Sequence, residues 1–88
     1  MKKLSQHYTI LWGMLNQPKK KWFSAVDFQR GRYFVGYEAT ARISEIANRY
    51  PLVVERVSDG KYRYIRIRWE NKKEVQDIKE LIETLLKS

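Results

Sequence analysis

Apolar positions change period several times along the chain, and each change marks an element. Leu4, Tyr8, Leu11, Trp12 and Leu15 recur at three- and four-residue steps, which predicts an amphipathic helix over residues 5–17. Pro18 and the run Lys19-Lys20-Lys21 end it. Ser24-Ala-Val-Asp27 has capping-box spacing with Asp in place of Glu, and opens a short second helix ending near Arg30 and Gly31. The connection from Arg32 to Gly36 is aromatic for a loop, so the rings of Tyr33 and Phe34 are expected to be partly buried. A third helix over residues 38–50 places Ala39, Ile43, Ile46, Ala47 and Tyr50 on one stripe, and Pro51 halts it. Asn71-Lys-Lys-Glu74 is another capping-box pattern. It starts a last helix to about Leu86, with Val75, Ile78, Ile82 and Leu85 on one stripe, widened by Leu81 and Leu86.

Between the third and last helices the period falls to two. Leu52 to Val57 and Lys61 to Trp69 flank Ser58-Asp59-Gly60, and Asp-Gly is a strong two-residue hairpin signal. With Asp59-Gly60 at the tip, Ser58 pairs with Lys61, Val57 with Tyr62, Arg56 with Arg63, Val54 with Ile65 and Leu52 with Ile67. That register gathers four aliphatic side chains on one face, which a one-residue slip would destroy. It also sets Arg56 opposite Arg63, an unfavourable like-charge pair that a phosphate would relieve.

The chain has 88 residues, which predicts one domain with one modest core. At this size roughly 60–65% of the unfolded surface is buried. With 43% apolar and 14% aromatic residues, disorder is not expected despite 32% charged residues. There is no cysteine for a disulfide or thiolate metal site, and His7 is the single histidine. The sequence has no GxxxxGK loop, no HExxH and no paired acidic cluster, so neither an enzyme nor a cofactor is expected. No apolar run approaches the ~20 residues of a membrane span, and the basic N-terminus lacks a signal-peptide core. The expected setting is cytoplasmic, nucleoid-associated when bound to DNA.

The net charge of +8 is unevenly spread. Residues 19–32 carry five cations against one acid, and residues 51–69 carry five against two. From residue 70 onward there are four cations and five acids. The middle of the chain is therefore suited to a polyanion, whereas the last helix is nearly neutral.

Ala41-Arg-Ile-Ser-Glu-Ile46, Tyr50-Pro51 and Gly60-Lys-Tyr-Arg-Tyr-Ile65 together resemble the small winged helix-turn-helix domains of phage, plasmid and other mobile-element proteins. The resemblance covers roughly residues 5–69. It implies an α+β fold with a three-helix core and a two- to three-stranded β-wing, flanked by a strand of one or two residues at Trp22 and Phe23, and the last helix is then an additional C-terminal helix. The domain would span residues 1–70. Residues 71–88 would form an amphipathic helix that packs on the domain or provides a dimerisation seam. The implied partner is double-stranded DNA, in transcription or replication control. The Arg32–Tyr37 connection is longer and more aromatic than the tight turn of simple helix-turn-helix proteins.

On that reading the third helix enters the major groove. Tyr37, Thr40, Ala41, Ser44 and Asn48 face the bases, and Arg42 and Arg49 grip the flanking backbone. Glu45 on the same helix would be repelled by phosphate. Arg56, Lys61 and Arg63 of the wing contact phosphates or the minor groove, and Lys19, Lys20, Lys21, Arg30 and Arg32 add backbone contacts. On the order of six phosphate contacts would cost about 10³-fold in affinity between 50 and 200 mM salt. The ordinary alternative for each is a solvated polar face or a solvated loop. Trp12, Trp22 and Trp69 read as core, and Tyr62 and Tyr64 as cover for apolar surface rather than base-stacking rings. The main rival function is a protein-interaction module, docking or inhibitory, using the last helix or the Tyr33–Tyr37 loop. Structured RNA is a third reading.

Overall fold

Ser5 opens the first helix, α1 (Gln6–Leu15), by accepting a hydrogen bond at Oγ from the Tyr8 N–H. In the computed structural model, which describes residues 4–29 and 35–87, α1 buries Ile10, Leu11, Met14 and Leu15. A turn carrying the three lysines leads to Phe23, and Ser24 then starts a four-residue 3-10 turn, Ala25–Phe28. The Asp27 carboxylate accepts from the Ser24 N–H at 2.8 Å, so the capping box is formed, but the segment closes as 3-10 rather than as the short α-helix expected. A second 3-10 turn, Gly36–Glu38, runs into α2 (Ala39–Arg49), which is the third helix predicted from the sequence.

The chain then forms an antiparallel hairpin, β1 (Val54–Asp59) and β2 (Tyr62–Ile67), and ends in α3 (Lys72–Lys87). The described residues thus form a small α+β domain with three α-helices and a two-stranded sheet. Phe23 adds one bridge to β2. Its N–H donates to the Ile65 carbonyl at 2.8 Å and the Ile65 N–H donates back at 2.9 Å.

The hairpin register departs from the Asp59-Gly60 tip. Val54 pairs with Ile67, Arg56 with Ile65, Val57 with Tyr64, Ser58 with Arg63 and Asp59 with Tyr62. The tip is Gly60-Lys61, with Gly60 at φ 59° and no positive φ at any other described hairpin residue. That suits a turn with glycine in the first central position. An Asp-Gly tip would instead require positive φ at Asp59 as well. The displacement is two residues, so each side chain keeps its face. Arg56 and Arg63 are not opposite each other, and Leu52, expected against Ile67, lies in the preceding turn and is 59% exposed.

One core joins all the elements. Val54, Ile65 and Ile67 on the inner sheet face meet Ile10, Leu11 and Met14 of α1 and Ile43 and Ile46 of α2. Phe23 and Phe28 stack with ring centroids 5.9 Å apart, filling the corner under the 3-10 turn. Val75, Ile78 and Ile82 of α3 belong to the same core, so the last helix is seated on the domain. Asn71 fixes its start by donating from Nδ2 to the Leu52 carbonyl at 2.7 Å. Of the tryptophans expected in the core, only Trp12 packs there. Trp22 and Trp69 lie at the surface. Phe23 points inward from its bridge, so strand alternation sends Trp22 outward.

Burial first, then the neighbouring Tyr8 phenol of α1, raise the Tyr50 phenol at the end of α2 above the ordinary value of 10.0. The folded state keeps this proton where the unfolded chain has lost it. The stabilisation is therefore present below pH 10 and falls as pH rises through the folded pKa. Urea midpoints measured from pH 9 to 11 should decline more steeply for the natural chain than for Tyr50→Phe. Ile65→Ala, which empties the fully buried position joined to both Phe23 and β1, should cost about 2–5 kcal/mol in the same melts.

Candidate nucleic-acid interface

The buried stripe of α2 (Ala39, Ile43, Ile46) fixes what its other faces can present. Thr40, Ala41, Asn48 and Arg49 are exposed, and Ser44 is half-buried. Its hydroxyl donates to the Thr40 carbonyl at 3.4 Å, an internal bond common for serine in helices. Arg42 does not extend outward as expected. It is half-buried, its Nη1 donates to Glu45 at 3.0 Å, and its Nε is buried without a partner among the described residues.

The same Glu45 Oε2 lies 2.7 Å from His7 Nε2 on α1. The carboxylate that threatened to repel phosphate is thus engaged by two nitrogen donors at the α1–α2 seam, 38 residues apart in sequence for the His7 pair. No sequence pattern announces this link.

The hairpin sorts its cations into two sets. Near the base, Arg66 donates to Glu55 through Nε and to Glu70 through Nη2 at 2.8 Å, which also holds the Glu70 carboxyl below its ordinary value. Arg68 donates to the Pro51 carbonyl at 2.9 Å and sits 4.0 Å from Glu55. Arg56, one pair further along from the base, and Lys61 at the tip are exposed and have no ion pair among the described residues. Arg63 reaches across to α2, with Nη1 3.4 Å from Ser44 Oγ. It has this orientation because Arg63, Ile65 and Ile67 share the inner sheet face, which runs past the end of the apolar core at the tip.

Between the tip and α2 lies an open groove of about 690 Å³, lined by Thr40 and Ile43 of α2, Lys61, Tyr62, Arg63 and Tyr64 of the hairpin, and Ser24 and Val26 at the start of the first 3-10 turn. The structure therefore brings Thr40, Ser44, Lys61 and Arg63 together. Arg56 lies on the same sheet face as Arg63. Ser24 and Val26 were missed in the sequence, where they read only as the start of a helix. Arg49 is elsewhere, lining a separate cleft of about 370 Å³ with Tyr50, Leu52, Ile78 and Leu81.

Of the three lysines before Phe23, Lys20 is held by Asp27 at 3.2 Å and lies over the Phe23 ring, whereas Lys19 and Lys21 are exposed. Arg30 and Arg32, the Tyr33 and Phe34 rings, and the Tyr37 side chain lie outside the described residues. Among the described residues no group of acidic or histidine side chains could hold a metal ion, and no helix is long and apolar enough to cross a membrane.

No family model, curated protein or solved structure matches the chain. The functional reading therefore rests on the geometry above.

The division of cations predicts different outcomes for similar substitutions. Arg66→Met should lower stability by about 1 kcal/mol, a modest loss because these ion pairs are only partly shielded from water. Arg56→Ala should stay within about 0.5 kcal/mol of the natural chain. Urea midpoints at low and high salt would test both, and the Arg66 effect should shrink as salt rises.

Proposed function

We propose that the chain is a winged helix-turn-helix module that binds double-stranded DNA and acts as a small regulator of transcription or replication. In this reading α2 is the groove-entering helix and the β1–β2 hairpin is the wing. One observation carries it. The hairpin cations Arg56, Lys61 and Arg63 have no acidic partner among the described residues, and Lys61 and Arg63 lie beside Thr40 and Ser44 of α2, while Arg66 and Arg68 are occupied within the fold. Cations on one side of an exposed polar helix face suit a phosphate backbone flanking a groove. Thr40, Ala41, Ser44 and Asn48 then supply small or hydrogen-bonding contacts to base edges, and engagement of Glu45 by His7 and Arg42 reduces its repulsion of the backbone.

A protein-docking role is the second reading, favoured by the cleft at the opposite end of α2, where Leu52 and Leu81 are exposed. The two readings place their surfaces far enough apart in the fold to be mutated separately.

Fluorescence anisotropy of a labelled mixed-sequence 25-base-pair duplex tests the proposal. Binding should be micromolar or tighter at 50 mM salt. With Arg56, Lys61, Arg63, Lys19 and Lys21 as contacts, the log–log salt slope should be about −4 to −5. Replacing Arg56 and Arg63 together by Ala should make the slope shallower by about 2 with an unchanged circular dichroism spectrum. Leu81→Ser should leave duplex binding intact. Absence of binding at low salt would overturn the proposal and direct attention to the Leu52–Leu81 cleft.

A further inference from the structure

The outer face of the hairpin, opposite the one that carries Ile65 and Ile67, has an unusual set of side chains. In the observed register Val57 and Tyr64 are partners on this face, and Tyr62 follows two residues along β2. The Phe23–Ile65 bridge extends the same antiparallel pairing, so Trp22 falls beside Arg66 and diagonal to Tyr64. Trp22, Tyr64 and Tyr62 therefore form an oblique row of rings across the sheet. Trp22 is 40% and Tyr62 65% exposed, and the Tyr62 and Tyr64 ring centroids are 6.4 Å apart with their planes 32° from parallel. A shallow depression bounded by Trp22, Val57 and Tyr64 lies within the row. None of these exposed ring faces is needed to close the core, whose members on this sheet all lie on the other face.

We propose that this face is a second binding surface, for single-stranded nucleic acid, with successive unpaired bases stacking on Tyr62, Tyr64 and Trp22. Three features favour that occupant. Rings spaced along a strand match the stacking platforms that hold extended single strands, because every base offers a π-face regardless of sequence. Each end of the row is joined directly to an exposed lysine, Lys21 beside Trp22 and Lys61 beside Tyr62, which supplies charge for the connecting phosphates. Of the carboxylates on the face, Glu55 is held by Arg66, which leaves Asp59 as the one repulsive group near the rings. The surface adjoins the one proposed for duplex DNA, because both use Lys21 and Lys61, and Tyr62 and Tyr64 also border the groove beside α2.

The test is anisotropy of labelled fifteen-nucleotide dT and rU strands, beside an abasic DNA strand of the same length and the 25-base-pair duplex. The natural chain should bind at least one base-bearing strand, and the abasic strand roughly tenfold or more weakly, as expected for loss of stacking. Tyr62→Ala and Trp22→Ala should each weaken single-strand binding about tenfold, and Trp22→Ala, which does not border the groove beside α2, should leave duplex affinity within about twofold. Tyr62→Phe, which keeps the ring, should bind like the natural chain, and Asp59→Asn should bind more tightly. Binding of dT or of rU identifies which nucleic acid is preferred, and either supports the surface. Failure to bind both strands at low salt would overturn the proposal. So would equal affinity for the abasic strand, or equal losses on duplex and single strand in Trp22→Ala, because binding would then not depend on the exposed ring.

Discussion

The exchange of two backbone hydrogen bonds between Phe23 and Ile65 sets the geometry of this domain. A two-stranded hairpin is marginal by itself in water. Here β2 is held by β1 on one side and by a single residue from the α1 side of the molecule on the other. Phe23 stacks on Phe28, and Ile65 reaches the helices, so the bridge fastens the sheet to the core at one point. It also fixes the strand parity on both sides. The inner face becomes Val54, Ile65 and Ile67 with Arg63 beyond them, and the outer face becomes Trp22, Tyr64 and Tyr62.

Charge is distributed with the same economy of position. Partners at the hairpin base and at the α1–α2 seam neutralise Arg66, Arg68, Arg42 and Glu45 locally. Exposed pairs of this kind add little stability singly. Their larger effect is to engage those groups within the fold, which leaves Arg56, Lys61, Lys19 and Lys21 among the exposed cations without an acidic partner in the described residues.

Much of the fold was legible because it depends on periodicity. The stripes of α1, α2 and α3 and the Ser24–Asp27 box follow from spacing, whereas the one-residue strand at Phe23 was expected from the resemblance. The hairpin tip did not, because Asp-Gly and Gly-Lys are both workable two-residue turns and the choice depends on which backbone positions take positive φ. The error spared the faces only because it was an even number of residues. Trp22 was misplaced since bulk and apolarity do not encode which side of a bridge a ring occupies, and Trp69 falls in the turn after β2 rather than on its inner face. Within the candidate site, the hairpin cations could be read from sequence, but the inward turn of Arg42 could not. It depends on His7 and Glu45 meeting across a helix seam.

The hairpin also has an unclosed side. Among the described residues β1 has only β2 as a partner, so its far edge presents free backbone donors and acceptors. Such an edge invites another copy of the chain to add a strand and begin a growing aggregate. Glu55, Arg56 and Asp59 are charged residues within a strand of six, a pattern that opposes this kind of addition. Arg56 consequently has a role even when no ligand is present, guarding solubility at high concentration. Selection could retain it for that reason alone.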